Sequence, residues 1–162
     1  MPFNKKWSEL WRGFLDPSGE KFRSTIEILC ERYVEELQQA ARFKQYAERM
    51  HYPQYQRKLL QLSTEKETHA KWLAEKIVTL GGKLPDVTEP RSTADNSWQS
   101  LQLALVDENR SADHLTEQLR RLGLEHSDIS TFLQEIAQQQ RKHREEIREM
   151  LMRSDPFALS LA

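Results

Sequence analysis

Two histidines in this sequence share a setting. His69 follows Lys66 by three positions in LSTEKETHAK, and His143 follows Gln140 by three in AQQQRKHREE. On a helix that spacing puts both members of each pair on one face. Imidazole nitrogens ligate transition metals and exchange protons near neutral pH. Two further polar residues, Tyr33 and Glu108, fall where the surrounding apolar pattern calls for core. A buried polar group costs several kcal/mol unless it finds a partner. Tyr33, Lys66, His69, Glu108, Gln140 and His143 therefore form either a site or a satisfied polar network.

Long helices must position these residues. Gly81, Gly82, Gly123, Pro53, Pro85 and Pro90 divide the chain into glycine-free stretches rich in Glu, Gln, Lys, Arg, Leu and Ala, which are helix formers. The expected helices cover 19–50, 53–80, 97–122 and 127–152. Pro53 suits a first helical position, Gly81 and Gly123 suit C-termini, and Ser97 and Ser127 suit N-caps. Ser24 and Glu27 have capping-box spacing, with a start one turn earlier as the alternative.

A 4-3-4-3 seam can be written for each segment. The first gives Ile26, Cys30, Tyr33, Leu37, Ala40, Lys44 and Ala47. The second runs through Leu59, Leu62, Lys66, His69 and Leu73, the third through Leu101, Leu105, Glu108, Leu115 and Leu122, and the fourth through Leu133, Ile136, Gln140, His143 and Ile147. The polar interruptions cluster near mid-helix, so antiparallel packing brings them to one level. A shift of 74 positions lays Leu59 on Leu133, Leu62 on Ile136 and His69 on His143, a faint internal repeat.

Connections fix the topology. The first and last pairs of helices are joined by a few residues each, so each pair is an antiparallel hairpin. The middle link, 81–96, could span roughly 50 Å at about 3.3 Å per residue, enough to run the length of a helix. The expected fold is an all-α, antiparallel four-helix bundle with one long crossover and a short N-terminal amphipathic helix. The expected parts are an N-terminal segment (1–18), the bundle (19–153) and a C-terminal tail (154–162).

Composition excludes several classes. With 24 Lys and Arg against 25 Asp and Glu, the net charge is −1, so no basic surface recommends nucleic acid as a partner. The one cysteine, Cys30, rules out an intrachain disulfide, favours a reducing compartment, and reads as a small buried hydrophobe. No apolar run reaches the roughly 20 residues of a membrane span, and the N-terminus has no signal-peptide stretch. A cytoplasmic location is the expectation. His51, His114 and His126 read as solvated.

The segment AERMHYPQYQRKLLQLSTEKETHAKWLAEKIVTLGG resembles the first helical hairpin of rubrerythrins, and LVDENR with IAQQQRKHREEI resembles their second. The resemblance covers about residues 25–152 and implies the ferritin-like superfamily. Its di-iron members place a Glu on each of two helices and a Glu-x-x-His on each of the other two. Carried over, that pattern puts Tyr33 at the first Glu position, Lys66 and His69 on the second helix, Glu108 on the third, and Gln140 and His143 on the fourth. Three of six ligands survive, and both bridging carboxylates are replaced.

Three readings of the cluster stand. In the favoured one no cofactor is bound: Lys66 pairs with Glu108 in a metal-free network. In the second, His69, His143 and Glu108 hold a single iron or manganese ion. In the third, a shifted di-metal site uses Glu31, Glu35, Glu65 or Asp107. The functional expectation is a non-enzymatic ferritin-like protein, with a divergent metal-dependent oxidase or peroxidase as the alternative. Trp7, Trp11 and Phe14, at i, i+4 and i+7, form a flap on the bundle, a homodimer contact, or, less suited at that length, a membrane-surface anchor. A homodimer is expected, with the C-terminal PFALSLA stretch a second apolar contact.

Overall fold

The computed structural model describes residues 18–123 and 127–154. The Trp7–Trp11–Phe14 segment, His126 and the PFALSLA stretch lie outside them. Four helices make the structure: α1 (Ser18–Glu48), α2 (Pro53–Thr79), α3 (Ser97–Leu122) and α4 (Ser127–Arg153). No helix among the described residues is long and apolar enough to cross a membrane.

The helix ends follow local chemistry. Pro53 opens α2, where its missing N–H costs nothing. Gly81, at φ 84°, closes the same helix, and Gly82 N–H returns to the Ile77 carbonyl. The start of α3 departs from the expected cap. Asn96, not Ser97, is the N-cap, and its Oδ1 accepts from Gln99 N–H at 2.9 Å. Ser97 instead receives His51 N–H on its hydroxyl and donates to the Arg49 carbonyl, tying the α1–α2 turn to α3. Helix α1 starts a turn before Ser24, so the capping-box spacing there is internal to the helix.

The crossover traverses the bundle, and its contacts show the path. Cys30 Sγ lies 3.9 Å from the Lys83 carbonyl, Gln38 donates to Thr88 O, Gln45 to Pro90 O, and Arg49 to Ala94 O. The link therefore runs alongside α1 in the same direction. It delivers the chain to the far end, where α3 begins. The hairpins α1–α2 and α3–α4 pack with α1 against α3 and, more thinly, α2 beside α4. This is the single-crossover topology of ferritin-like bundles.

Two apolar clusters fill the ends. One gathers Phe43, Tyr46, Met50, Leu59, Leu62, Ala94, Leu101 and Ile147. The other gathers Ile28, Leu29, Leu73, Ile77, Leu115, Ile129, Leu133 and Ile136. Each fully buried Leu or Ile contributes about 1.5–3 kcal/mol. Between the clusters lies a layer of buried polar side chains.

Candidate functional site: the polar centre of the bundle

The layer is anchored by two ion pairs. Lys66 Nζ lies 2.6 Å from Glu108 Oε1, with side-chain exposures of 1% and 0%. Arg32 Nε lies 3.2 Å from Glu36 Oε1, both fully buried. Arg32 also donates to Glu35 Oε2 (2.8 Å), to the Ser111 hydroxyl (2.7 Å) and to the Ser111 carbonyl (3.3 Å). Lys66 Nζ sits 5.4 Å from the centroid of the Phe43 ring, a cation–π distance.

The histidines complete the layer. His69 Nδ1 lies 3.1 Å from Glu36 Oε2 and its Nε2 lies 2.7 Å from Gln139 Oε1. His143 Nε2 lies 2.7 Å from Glu65 Oε2. Residues 65 and 139 stand at equivalent positions of the internal repeat. Each histidine thus crosses the α2–α4 seam to the residue four before the other, and the pseudo-twofold is written in hydrogen bonds. Gln140 Nε2 donates to the Ser111 hydroxyl at 2.6 Å.

Charge states follow from surroundings. Burial alone would raise the Glu36 carboxyl, but Lys66, Arg32 and His69 outweigh it and hold it at about 2. Glu36 is therefore an ionised acceptor, and His69 Nδ1 carries the proton between them. Burial lowers the His143 imidazole, with Lys66 adding to that and Glu108 and Glu65 opposing. Burial also raises Glu65, but its hydrogen bond from His143 wins and the carboxyl falls below its ordinary value.

One sequence expectation is corrected here. Tyr33 is not part of this layer. It is half-buried against the apolar cluster of Ile28 and Leu73, and the α1 residue facing Lys66 and His69 is Glu36. The buried face of α1 runs through Ile28, Leu29, Arg32, Glu36, Ala40, Phe43 and Ala47. The sequence seam through Ile26, Cys30 and Tyr33 follows a neighbouring apolar stripe, along which the crossover starts. Glu36 therefore joins Glu108, His69 and His143 in this layer. Arg32 and Ser111 were missed altogether, because a charged or small polar residue in a helix normally signals a solvated face.

The shifted carboxylates do not converge. Glu31 pairs with Arg121 at the surface (2.8 Å). Glu35 faces Arg32, Gln118 and His114 on the α1–α3 side. Asp107 lies on that side too, accepting from the Tyr46 hydroxyl at 2.6 Å with Arg42 at 3.4 Å. Burial raises the Asp107 carboxyl against the pull of Tyr46 and Arg42, and burial with the Asp107 hydrogen bond raises the Tyr46 phenol. Glu65 is on the opposite, α2–α4 side. Among the described residues, no three His, Cys, Asp or Glu side chains are placed to share a metal ion. His51 and His114 are exposed, and Cys30 is half-buried with its thiol raised by burial and by Glu27 and Glu31.

A family model described as a ferritin-like domain matches residues 39–155. The chain belongs to the ferritin-like family. Solved structures agree on the fold. One, described as ferritin like, diiron-carboxylate proteins from Bacillus anthracis str. Ames, superposes with a TM-score of 0.74 at 20% identity, covering 81% of this chain and 97% of that one. The diiron bacterioferritin of Desulfovibrio desulfuricans superposes with a TM-score of 0.73 at 16% identity, covering 82% of this chain and 81% of that one. No curated protein sequence matches.

The ferritin-like centre of this chain does not fit a pair of divalent cations as its side chains stand. The two inner positions carry an ammonium, Lys66, and an amide, Gln140, where bridging carboxylates would supply negative charge. Arg32 adds a second cation against Glu36. Two unit charges 4 Å apart repel by about 4 kcal/mol at an effective dielectric of 20, and a divalent ion doubles that. Glu108 Oε2, Gln140 Oε1 and His143 Nδ1, on α3 and α4, have no hydrogen-bond donor among the described residues, and neither has Gln39 Oε1 on α1.

Proposed function

We propose that this chain is a non-enzymatic ferritin-like scaffold in which protein cations, Lys66 and Arg32, replace the metal ions of the family's centre. The observation that carries the reading is the Lys66–Glu108 pair, 2.6 Å apart with both side chains buried. An ammonium at that place neutralises the carboxylate a metal would use, and its own burial is offset by that carboxylate, by Glu36 and by the Phe43 ring. The scaffold works by binding or assembly rather than by oxygen or peroxide chemistry. A cytoplasmic homodimer is the form proposed for it.

The test is metal content. Protein purified from cells supplied with iron and manganese should contain well under one metal ion per chain by elemental analysis, and should show no ferric absorption after aerobic oxidation. Stoichiometric metal that survives dialysis overturns the proposal. A second reading has one observation behind it. Glu108 Oε2, Gln140 Oε1 and His143 Nδ1 are buried acceptors without donors, and a single iron or manganese ion there, with His69 nearby, would make the protein a divergent oxidase or peroxidase. Under that reading Lys66→Ala should raise metal uptake, whereas in a cation-filled scaffold it should mainly destabilise.

A further inference from the structure

The thin contact between α2 and α4 leaves an open cleft. Side chains bridge it instead of interlocking core: Lys76–Asp128 at one end, then His69–Gln139 and His143–Glu65, then Lys58–Glu146 at the other. The cavity between these bridges has a volume of about 490 Å³, within the size range of small-molecule sites.

Its lining has a polarity. At one end the ring of Phe132, backed by Trp72 stacked at 3.7 Å, and the side chain of Ile136 supply an apolar strip. Glu135 stands beside that strip, exposed and without an ion-pair partner among the described residues. Glu65 lies further along, and its hydrogen bonds come from His143 and Gln61 rather than from a cation. Two lysines line the far end, and both face Glu146, Lys58 at 2.9 Å and Lys142 at 3.9 Å.

Between the two acids sits His69. Its Nδ1 lies against Glu36 Oε2 and its Nε2 against Gln139 Oε1, so the acceptor on the cleft side is the Gln139 amide oxygen. Glu65 marks the level of His143, and Glu135 precedes His143 by two helical turns. The two carboxylates are therefore about 12 Å apart along the axis, at 1.5 Å per residue. Two anions at that spacing, with an apolar strip and an acceptor between them, match one kind of ligand.

We propose that the α2–α4 cleft binds a linear aliphatic polyamine. One terminal ammonium pairs with Glu135 over the face of Phe132, which adds a cation–π contribution. The methylene chain packs along Ile136. A central amine donates to Gln139 Oε1, and the other terminus pairs with Glu65. No bond is made or broken. The inference is independent of whether the bundle centre holds a metal.

Calorimetric titration of the full chain with spermidine, putrescine and propylamine at fixed salt tests it. Spermidine should bind saturably at one per chain, with propylamine at least about tenfold weaker, since one carboxylate is then left unused. Glu135→Gln and Glu65→Gln should each weaken spermidine about tenfold. Glu117→Gln, at an exposed and distant site, should change nothing. Circular dichroism checks that each variant is folded, and exposed Glu135 decides alone if Glu65→Gln is not. Absence of saturable spermidine binding, binding insensitive to Glu135→Gln, or equal weakening by Glu117→Gln overturns the proposal. So does selective binding of anions such as phosphate at Lys58 and Lys142.

Discussion

Arg32 and Ser111 meet twice between α1 and α3: one guanidinium nitrogen donates to the Ser111 hydroxyl at 2.7 Å, another to the Ser111 carbonyl at 3.3 Å. The same hydroxyl accepts from Gln140 at 2.6 Å. Ser111 is thus the shared acceptor of two buried donors from two other helices. Ser111→Ala removes both bonds at once and should destabilise by about 1–3 kcal/mol. Urea unfolding measures it. A loss under half a kcal/mol would mean that the donors find other acceptors.

The Lys66–Glu108 pair should behave as a buried ion pair. Lys66→Ala strands the Glu108 carboxylate and should cost about 3–5 kcal/mol. Lys66→Met combined with Glu108→Gln removes both charges and should recover most of that loss. If the double variant unfolds as easily as Lys66→Ala, the pair is not the source of the cost.

Acid should weaken the fold in two stages. The folded-state pKa of His143 lies below its ordinary 6.5, so the unfolded chain takes up that proton first, and stability falls as pH drops below about 6.5. Glu36 is lowered from 4.5 to about 2. Its contribution is complete above 4.5 and is lost as pH falls from there through 2, on the order of 3 kcal/mol in all. Glu65, also lowered, acts in the same sense, whereas Asp107, raised, opposes it. Thermal melts from pH 8 to 3 should show both stages. His143→Gln should flatten the upper one and Glu36→Gln the lower one.

Most of this architecture was written in the sequence. The seams of α2 and α4 were legible because Leu59, Leu62 and Leu73, and Leu133, Ile136 and Ile147, fix one apolar phase each. Helix α1 was harder. It is covered twice, by the bundle on one face and by the crossover on another, so it carries two apolar stripes. Ile26, Cys30 and Tyr33 belong to the wrong one. That single ambiguity of phase hid Glu36, and with it the partner of His69. Arg32 was hidden for another reason: its burial rests on Glu35, Glu36 and Ser111 together, a coincidence of two helices that no local pattern displays.

The corrected phase changes how a metal centre would be restored. Glu36, His69, Glu108 and His143 already lie together in the buried layer. Lys66→Glu with Gln140→Glu supplies the two bridging carboxylates, and Arg32→Leu removes the competing cation. This triple variant should bind about two cobalt(II) or manganese(II) ions per chain, read by elemental analysis and by cobalt absorption. Adding Tyr33→Glu should contribute nothing. A folded but metal-free triple variant would show that the inner positions are misplaced.

The crossover beside α1 makes the molecule separable into halves. α1 with α2, and α3 with α4, each form a pair of neighbouring helices, whose contacts are local in sequence and so close quickly. The link between them is held by side chains of α1 to backbone carbonyls, from Gln38 to Arg49, and carries only Ala94 into the core. A cut near Asp86, at an exposed position ahead of those bonds, would leave the strap on the second fragment and its docking groove on the first. The two fragments would then reassemble through the shared ionic layer, so that complementation becomes a direct readout of whether that layer is charged.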